Sequence, residues 1–150
     1  MAHETLGKFG YPDTLIHEGE HWALLVRPAQ PTLGALVLCA LSEARSYAEL
    51  PPAAYAEQRD MVVLAERILR ELTSFERINY LMLMMVDPHV HLHVIPRYQG
   101  EREFEGQSFR DSGWPGLPNL QDTRPASAGL IGELRRLAAM TQPSPLHGCS

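Results

Sequence analysis

The sequence predicts an α+β domain: a mostly antiparallel sheet of about five strands, one long helix packed on it, and a short C-terminal helix. Three observations predict it. Short apolar segments are rich in strand formers, the clearest being Gly34–Leu41 (GALVLCAL). Across Pro51–Thr73, Met61, Leu64, Ala65, Ile68, Leu69 and Leu72 recur at three- and four-residue spacing and make one apolar helix face. Leu130, Leu134 and Leu137 repeat that spacing, with Ile131 and Ala138 beside them, in a helix to about Met140.

Residues 1–12 are short, polar and punctuated by Gly and Pro, which predicts a loosely held arm. Thr14–Glu18 and His21–Arg27 read as two strands across a turn at Glu18-Gly19-Glu20. PAQPTLG, from Pro28 to Gly34, is turn chemistry, with Pro31 presetting φ and Gly34 free to take positive φ. After the apolar strand, Ser42 reads as a cap or turn. Pro51 and Pro52 suit the first turn of the long helix, where a missing N–H costs little. Its charged groups, Glu57 and Arg67 among them, are expected to face solvent. Ile78–Val86 and His89–Tyr98 read as two more strands joined through Asp87-Pro88. Gln99–Ala126 reads as a surface excursion without much regular structure. The predicted organisation is an arm (1–13), a core (14–98), an extension carrying the short helix (99–140) and a disordered tail (141–150).

With 150 residues, 45% of them hydrophobic and 21% charged, the chain suits one folded domain and excludes a fibre, a coiled coil or a disordered segment. Ala35–Leu41 and Tyr80–Val86 are its longest apolar stretches, far short of the ~20 residues of a membrane helix. No basic segment precedes an apolar one near the start, which predicts a cytoplasmic chain without a secretory signal. A net charge of −5 argues against a backbone-gripping nucleic-acid binder. Twelve of the thirteen cations are Arg, Lys8 being the one lysine; single arginines can clamp phosphates two oxygens at a time. Cys39 lies in an apolar strand and is expected to be an inert buried thiol, and the Met82, Met84 and Met85 stripe to pack in the core.

Chemistry concentrates at His89, His91 and His93. Side chains alternate along a strand, so the three rings share one face, about 6–7 Å apart, while Val90, Leu92 and Val94 point to the core. The histidines are therefore expected on the open, wet face of the sheet. Protonating all three is opposed by about 2 kcal/mol per pair at an effective dielectric near 20, so at least one ring stays neutral. A neutral attacking ring beside protonated donors suits in-line displacement at phosphorus. His-x-His on a strand also suits zinc, although no further ligand stands in a matching motif: His3, His17, His21 and His147 are all isolated.

DPHVHLHVIPRY, with its His-x-His-x-His followed by two apolar residues, resembles the signature of the histidine triad (HIT) family. The resemblance extends over residues 14–98 and implies a HIT-like fold and a mostly homodimeric nucleotide hydrolase or nucleotidyl transferase. It further implies attack at the α-phosphate of a dinucleoside polyphosphate or nucleoside phosphoramidate, with no metal or other cofactor required. By position, His91 would be the nucleophile, His93 would contact the phosphate and assist the leaving group, and His89 would orient the site partly through its carbonyl. Leu25 and Val37 match residues that line the base pocket. The chain departs from the family at Gly34-Ala35, where Gly-His is common, and at Arg27, where an Asn often holds the ribose. The donor loop before the triad is replaced by Met85-Val86-Asp87-Pro88. Arg27, Gln30 and Thr32 are candidate phosphate donors in its place, and Trp114-Pro115 is similar to a segment of some family branches. The alternatives are a nucleotide-binding module with little catalysis and a histidine-ligated metal protein.

Overall fold

In the computed structural model, which describes residues 2–140, the chain opens with helix α1 (Glu4–Lys8). Strands β1 (Leu15–Glu18), β2 (Trp22–Val26), β3 (Ala29–Gln30) and β4 (Leu36–Ala40) follow, then the long helix α2 (Pro52–Thr73). Next come β5 (Arg77–Leu81), β6 (His91–Arg97), β7 (Glu101–Phe104), β8 (Gln107–Arg110), β9 (Arg124–Pro125) and helix α3 (Ala128–Ala139). The main sheet has five strands in the order β1-β2-β4-β6-β5, every neighbouring pair antiparallel. The α+β prediction therefore stands. The tail 141–150, with His147 and Cys149, lies outside the described residues.

The register fixes what each face carries. Leu24, Leu38 and Leu92 are cross-strand partners, as are Val26, Leu36 and Val94, and both rows belong to the core under α2 and α3. The alternate rows join Leu25, Val37 and His93, and Ala23, Cys39 and His91, on the opposite face. Helix α2 starts where Pro52 tolerates its missing N–H, and buries Ala54, Met61, Ala65, Ile68, Leu69 and Thr73. It ends at Ser74, in the left-handed conformation. Gly34 is required by its φ of +93°, and a Cβ there would also displace the Leu69 side chain, meeting its Cδ2 at 2.8 Å. Trp22 is a packing residue, its indole N–H donating to the Ala54 carbonyl at 2.7 Å.

Four sequence expectations are corrected. The N-terminal arm is held, not loose: Leu6 and Phe9 pack with Ala23, Leu25, Val37 and Cys39 on the second face of the sheet. Burying two such side chains is worth about 1.5–3 kcal/mol each, which holds a helix too short to form alone. The strand predicted over Ile78–Val86 stops at Leu81, and the one predicted from His89 starts at His91. The loop between them leaves Met85 and Val86 more than four-fifths exposed, so the methionine stripe is only partly core. Finally, residues 99–126 carry more regular structure than expected, although 111–123 form only turns and coil. β7 and β8 form a hairpin whose central residues Glu105 and Gly106 both have positive φ, as a type I′ turn demands, and β9 pairs with β3.

Smaller departures have equally local causes. Glu57 does not face solvent idly: its carboxylate accepts the N–H groups of Glu20, His21 and Trp22, closing the β1–β2 turn. Arg97 forms a buried two-pronged pair with Asp111, at 2.7 and 3.1 Å, and also donates to Asn79. It ties β6 to the segment after β8.

Candidate active site

β6 begins at His91 and places His91 and His93 on one face by simple alternation. Their rings meet edge to face with centroids 5.3 Å apart. The expectation of a wet face is overturned, because α1 covers it: His89, His91 and His93 are each at most 6% exposed. The Phe9 ring lies 5.6 Å from both His91 and His93. Access is instead through a cavity of about 490 Å³, onto which His91 and His93 open. Its walls come from Lys8 and Phe9, from Arg27–Ala29, from the loop Leu83–Asp87, and from Leu120 and Gln121.

Hydrogen bonds decide the proton positions. His91 Nδ1 stands 2.7 Å from the His89 carbonyl, which only accepts, so this nitrogen carries the proton and Nε2 keeps its lone pair. His93 is the reverse. Its Nδ1 accepts from Arg27 Nε–H at 3.3 Å, leaving the ring proton on Nε2. Burial, with the Arg27 guanidinium and His91 adding to it, lowers the His93 pKa to about 4, so the ring is neutral at neutral pH. The two neighbouring rings thus present one lone pair and one N–H.

His89 has no free nitrogen. Its Nε2–H donates to Glu43 at 3.1 Å, and its Nδ1 accepts from the Thr5 hydroxyl at 2.9 Å. Its contribution to the site is its carbonyl. His3 stacks on the His89 ring and donates from Nε2 to the Ala40 carbonyl at 2.7 Å, while its Nδ1 accepts the Leu6 N–H and caps α1. Burial lowers its pKa, keeping it neutral. Neither His3 nor Thr5 stands in a motif. They are more than eighty residues from the triad, and only the docking of α1 brings them there.

Of the other candidates, Arg27 is at the site. It lines the cavity, donates to His93 and also to the Ala29 carbonyl, and burial lowers its pKa. Gln30 is not: its amide donates to the carbonyls of Arg27 and Ala35 and its oxygen accepts from Gly34 and Ala35 N–H, so it builds the turn. Thr32 is buried outside the cavity. Leu25 and Val37 are fully buried in the cluster with Leu6 and Phe9 and do not line the cavity. Trp114 and Pro115 border a separate groove with Arg97. Burial pushes the Cys39 thiol up to about 12, so it is inert. Among the described residues no three His, Cys, Asp or Glu side chains are grouped to hold a metal ion, and no helix is long and apolar enough to cross a membrane.

No family model matches the sequence, and neither does any curated protein. Solved structures do. A histidine triad protein from Sinorhizobium meliloti is 20% identical with a TM-score of 0.71, covering 92% of this chain and 93% of that one. One from Bradyrhizobium japonicum is 20% identical with a TM-score of 0.66, over 92% and 97%. A zinc-bound histidine triad family protein from Mycobacterium smegmatis is 19% identical with a TM-score of 0.61, over 90% of each. At this identity the likeness shows the fold.

Proposed function

We propose that this chain, which has the histidine triad fold, is a nucleotide hydrolase or nucleotidyl transferase acting at the α-phosphate of a nucleoside phosphate without a metal. The observation that carries the reading is the opposed proton placement on His91 and His93. The Nε2 lone pair of His91 attacks the α-phosphorus in line with the departing group. The bond from phosphorus to the leaving group breaks as the bond to Nε2 forms. The positive charge that develops on the His91 ring is met by the His89 carbonyl at Nδ1–H, a group already aimed and needing no reorganisation. His93 Nε2–H hydrogen-bonds the departing oxygen. Water then displaces the nucleotide from His91, releasing a proton to solvent and restoring the lone pair.

The apolar cavity wall at Phe9, Leu83 and Met84 takes the base, since Leu25 and Val37 are covered. A cytoplasmic homodimer belongs to the same reading. β5 is the sheet's edge strand, and Tyr80 on it and Val63 on α2 are exposed apolar groups. Sedimentation at micromolar concentration tests the dimer.

Incubation with diadenosine tetraphosphate in the presence of a chelator tests the activity, with AMP release expected. His91→Ala should bind AMP but release none from the substrate. Turnover surviving in that variant would reject the nucleophile. A binding module with little catalysis is the second reading, favoured by the closure of α1 over Leu25 and Val37; nucleotide affinity without product would establish it.

A further inference from the structure

Among the described residues two cationic side chains, Lys8 and Arg27, line the cavity, and they are held differently. Arg27 is anchored at the wall by two of its five N–H donors, its Nε–H to His93 and a second to the Ala29 carbonyl. Lys8, at the end of α1, pairs with Asp87 in the loop before the triad, its Nζ lying 2.8 and 3.0 Å from the two carboxylate oxygens. That pair sits at the cavity wall with the lysine side chain half exposed, and among the described residues Asp87 is the only carboxylate lining the space. The ammonium is the exposed member of the pair, Asp87 being only 15% exposed, and its flexible stem lets it turn toward a second anion at the cavity mouth.

Arg27 also restricts what His93 can do. Because His93 Nδ1 is an acceptor, full transfer of the Nε2 proton would leave an imidazolate. The ring therefore hydrogen-bonds a leaving group without protonating it. An amine leaving a phosphoramidate must acquire a proton. A phosphate leaving another phosphate needs none, and instead needs a cation to meet its charge.

Resting on the nucleotide reading above, we infer that Lys8 is that cation: it exchanges Asp87 for the departing phosphate, so the chain acts on nucleoside polyphosphates in preference to nucleoside phosphoramidates. In the step, the bond from the α-phosphorus to His91 Nε2 forms and the bond to the bridging oxygen breaks. The electron pair stays on that oxygen, whose phosphate carries its charge onto the Lys8 ammonium. Lysine suits the role as a mobile point charge on a flexible stem.

Calorimetry of the full chain with AMP and ADP tests this. ADP should bind more tightly than AMP. Lys8→Met should cut the ADP-to-AMP affinity ratio about tenfold, the loss expected for one charge-assisted contact; Lys8→Arg should keep most of it, and Asp87→Asn should raise it. An unchanged ratio in Lys8→Met overturns the assignment and leaves the nucleotide reading intact, whereas failure of the unmodified protein to bind either nucleotide overturns both. Because Lys8 is the one lysine in the chain, amine acylation followed by peptide mass spectrometry reads it without a variant. ADP should protect it and adenosine should not; equal labelling counts against the proposal. Faster turnover of an adenosine phosphoramidate than of diadenosine tetraphosphate overturns the substrate preference.

Discussion

The imidazoles of His3 and His89 stack with centroids 3.9 Å apart and planes 12° from parallel. The stack links the N-terminal helix to the triad, since His3 caps α1 and donates to Ala40 while the His89 carbonyl holds His91. His3→Ala removes a helix cap and a buried hydrogen bond together. We expect a loss of about 1–2 kcal/mol in urea denaturation, with a drop in turnover as α1 loosens. An unchanged midpoint would show that α1 is held by Leu6 and Phe9 alone.

Arg27 and His93 set a pH dependence. His93 has its folded-state pKa depressed from 6.5 to about 4, so the unfolded chain binds the proton more readily between those values. Stability from this ring is complete above its unfolded value and is lost as pH falls from 6.5 toward 4. His3, shifted in the same direction, adds to the loss. Arg27→Ala should move the His93 titration upward in NMR, because a cation and a donor to Nδ1 both disappear. It should also free the ring to take the other tautomer. A His93 titration that stays near 4 would mean that burial alone sets it.

Legibility in the sequence followed the range of the forces involved. Helix α2 was readable because Met61, Ala65, Ile68 and Leu69 repeat through several turns and Pro52 marks the start. The shared face of His91 and His93 followed from strand alternation. What covers that face did not. α1 has five residues, too few for a periodic signal, and it exists through Leu6, Phe9 and His3 meeting β2 and β4. The same long-range docking buries Leu25 and Val37, which by positional likeness alone would line a base pocket. The sequence offers Gln30 as a phosphate donor, yet its four bonds close its own turn. The β7–β8 hairpin has a weak local signal, because Glu105-Gly106 is an uncommon pair for its turn.

The Arg97–Asp111 pair yields a stability prediction independent of the site. Both side chains are at most 5% exposed, and the guanidinium donates to both carboxylate oxygens. Asp111→Ala strands a buried cation and also removes an acceptor of the Tyr98 N–H. A cost of about 3–5 kcal/mol is expected in denaturant unfolding, against little for an exposed pair such as Arg59 and Asp60. Equal costs for the two would mean that the Asp111 pair is solvated in solution.

Thr5 offers a test of positioning without touching any ring. Its hydroxyl donates to His89 Nδ1 at 2.9 Å and accepts the His89 N–H at 3.4 Å, fixing the residue whose carbonyl holds the His91 proton. Thr5→Val keeps the shape and deletes the hydroxyl, leaving a buried ring nitrogen without a partner at a cost of about 1–3 kcal/mol. With the His89 carbonyl less well placed, His91 loses its preference for the Nδ1–H tautomer, so kcat should fall while KM changes little. Thr5→Ser should restore both, since the hydroxyl returns. Nitrogen NMR of the His91 ring separates this from mere loss of folded protein: the folded fraction of Thr5→Val should show a mixed tautomer. A pure Nδ1–H signal there, with kcat reduced, would sink the link from Thr5 through His89 to His91.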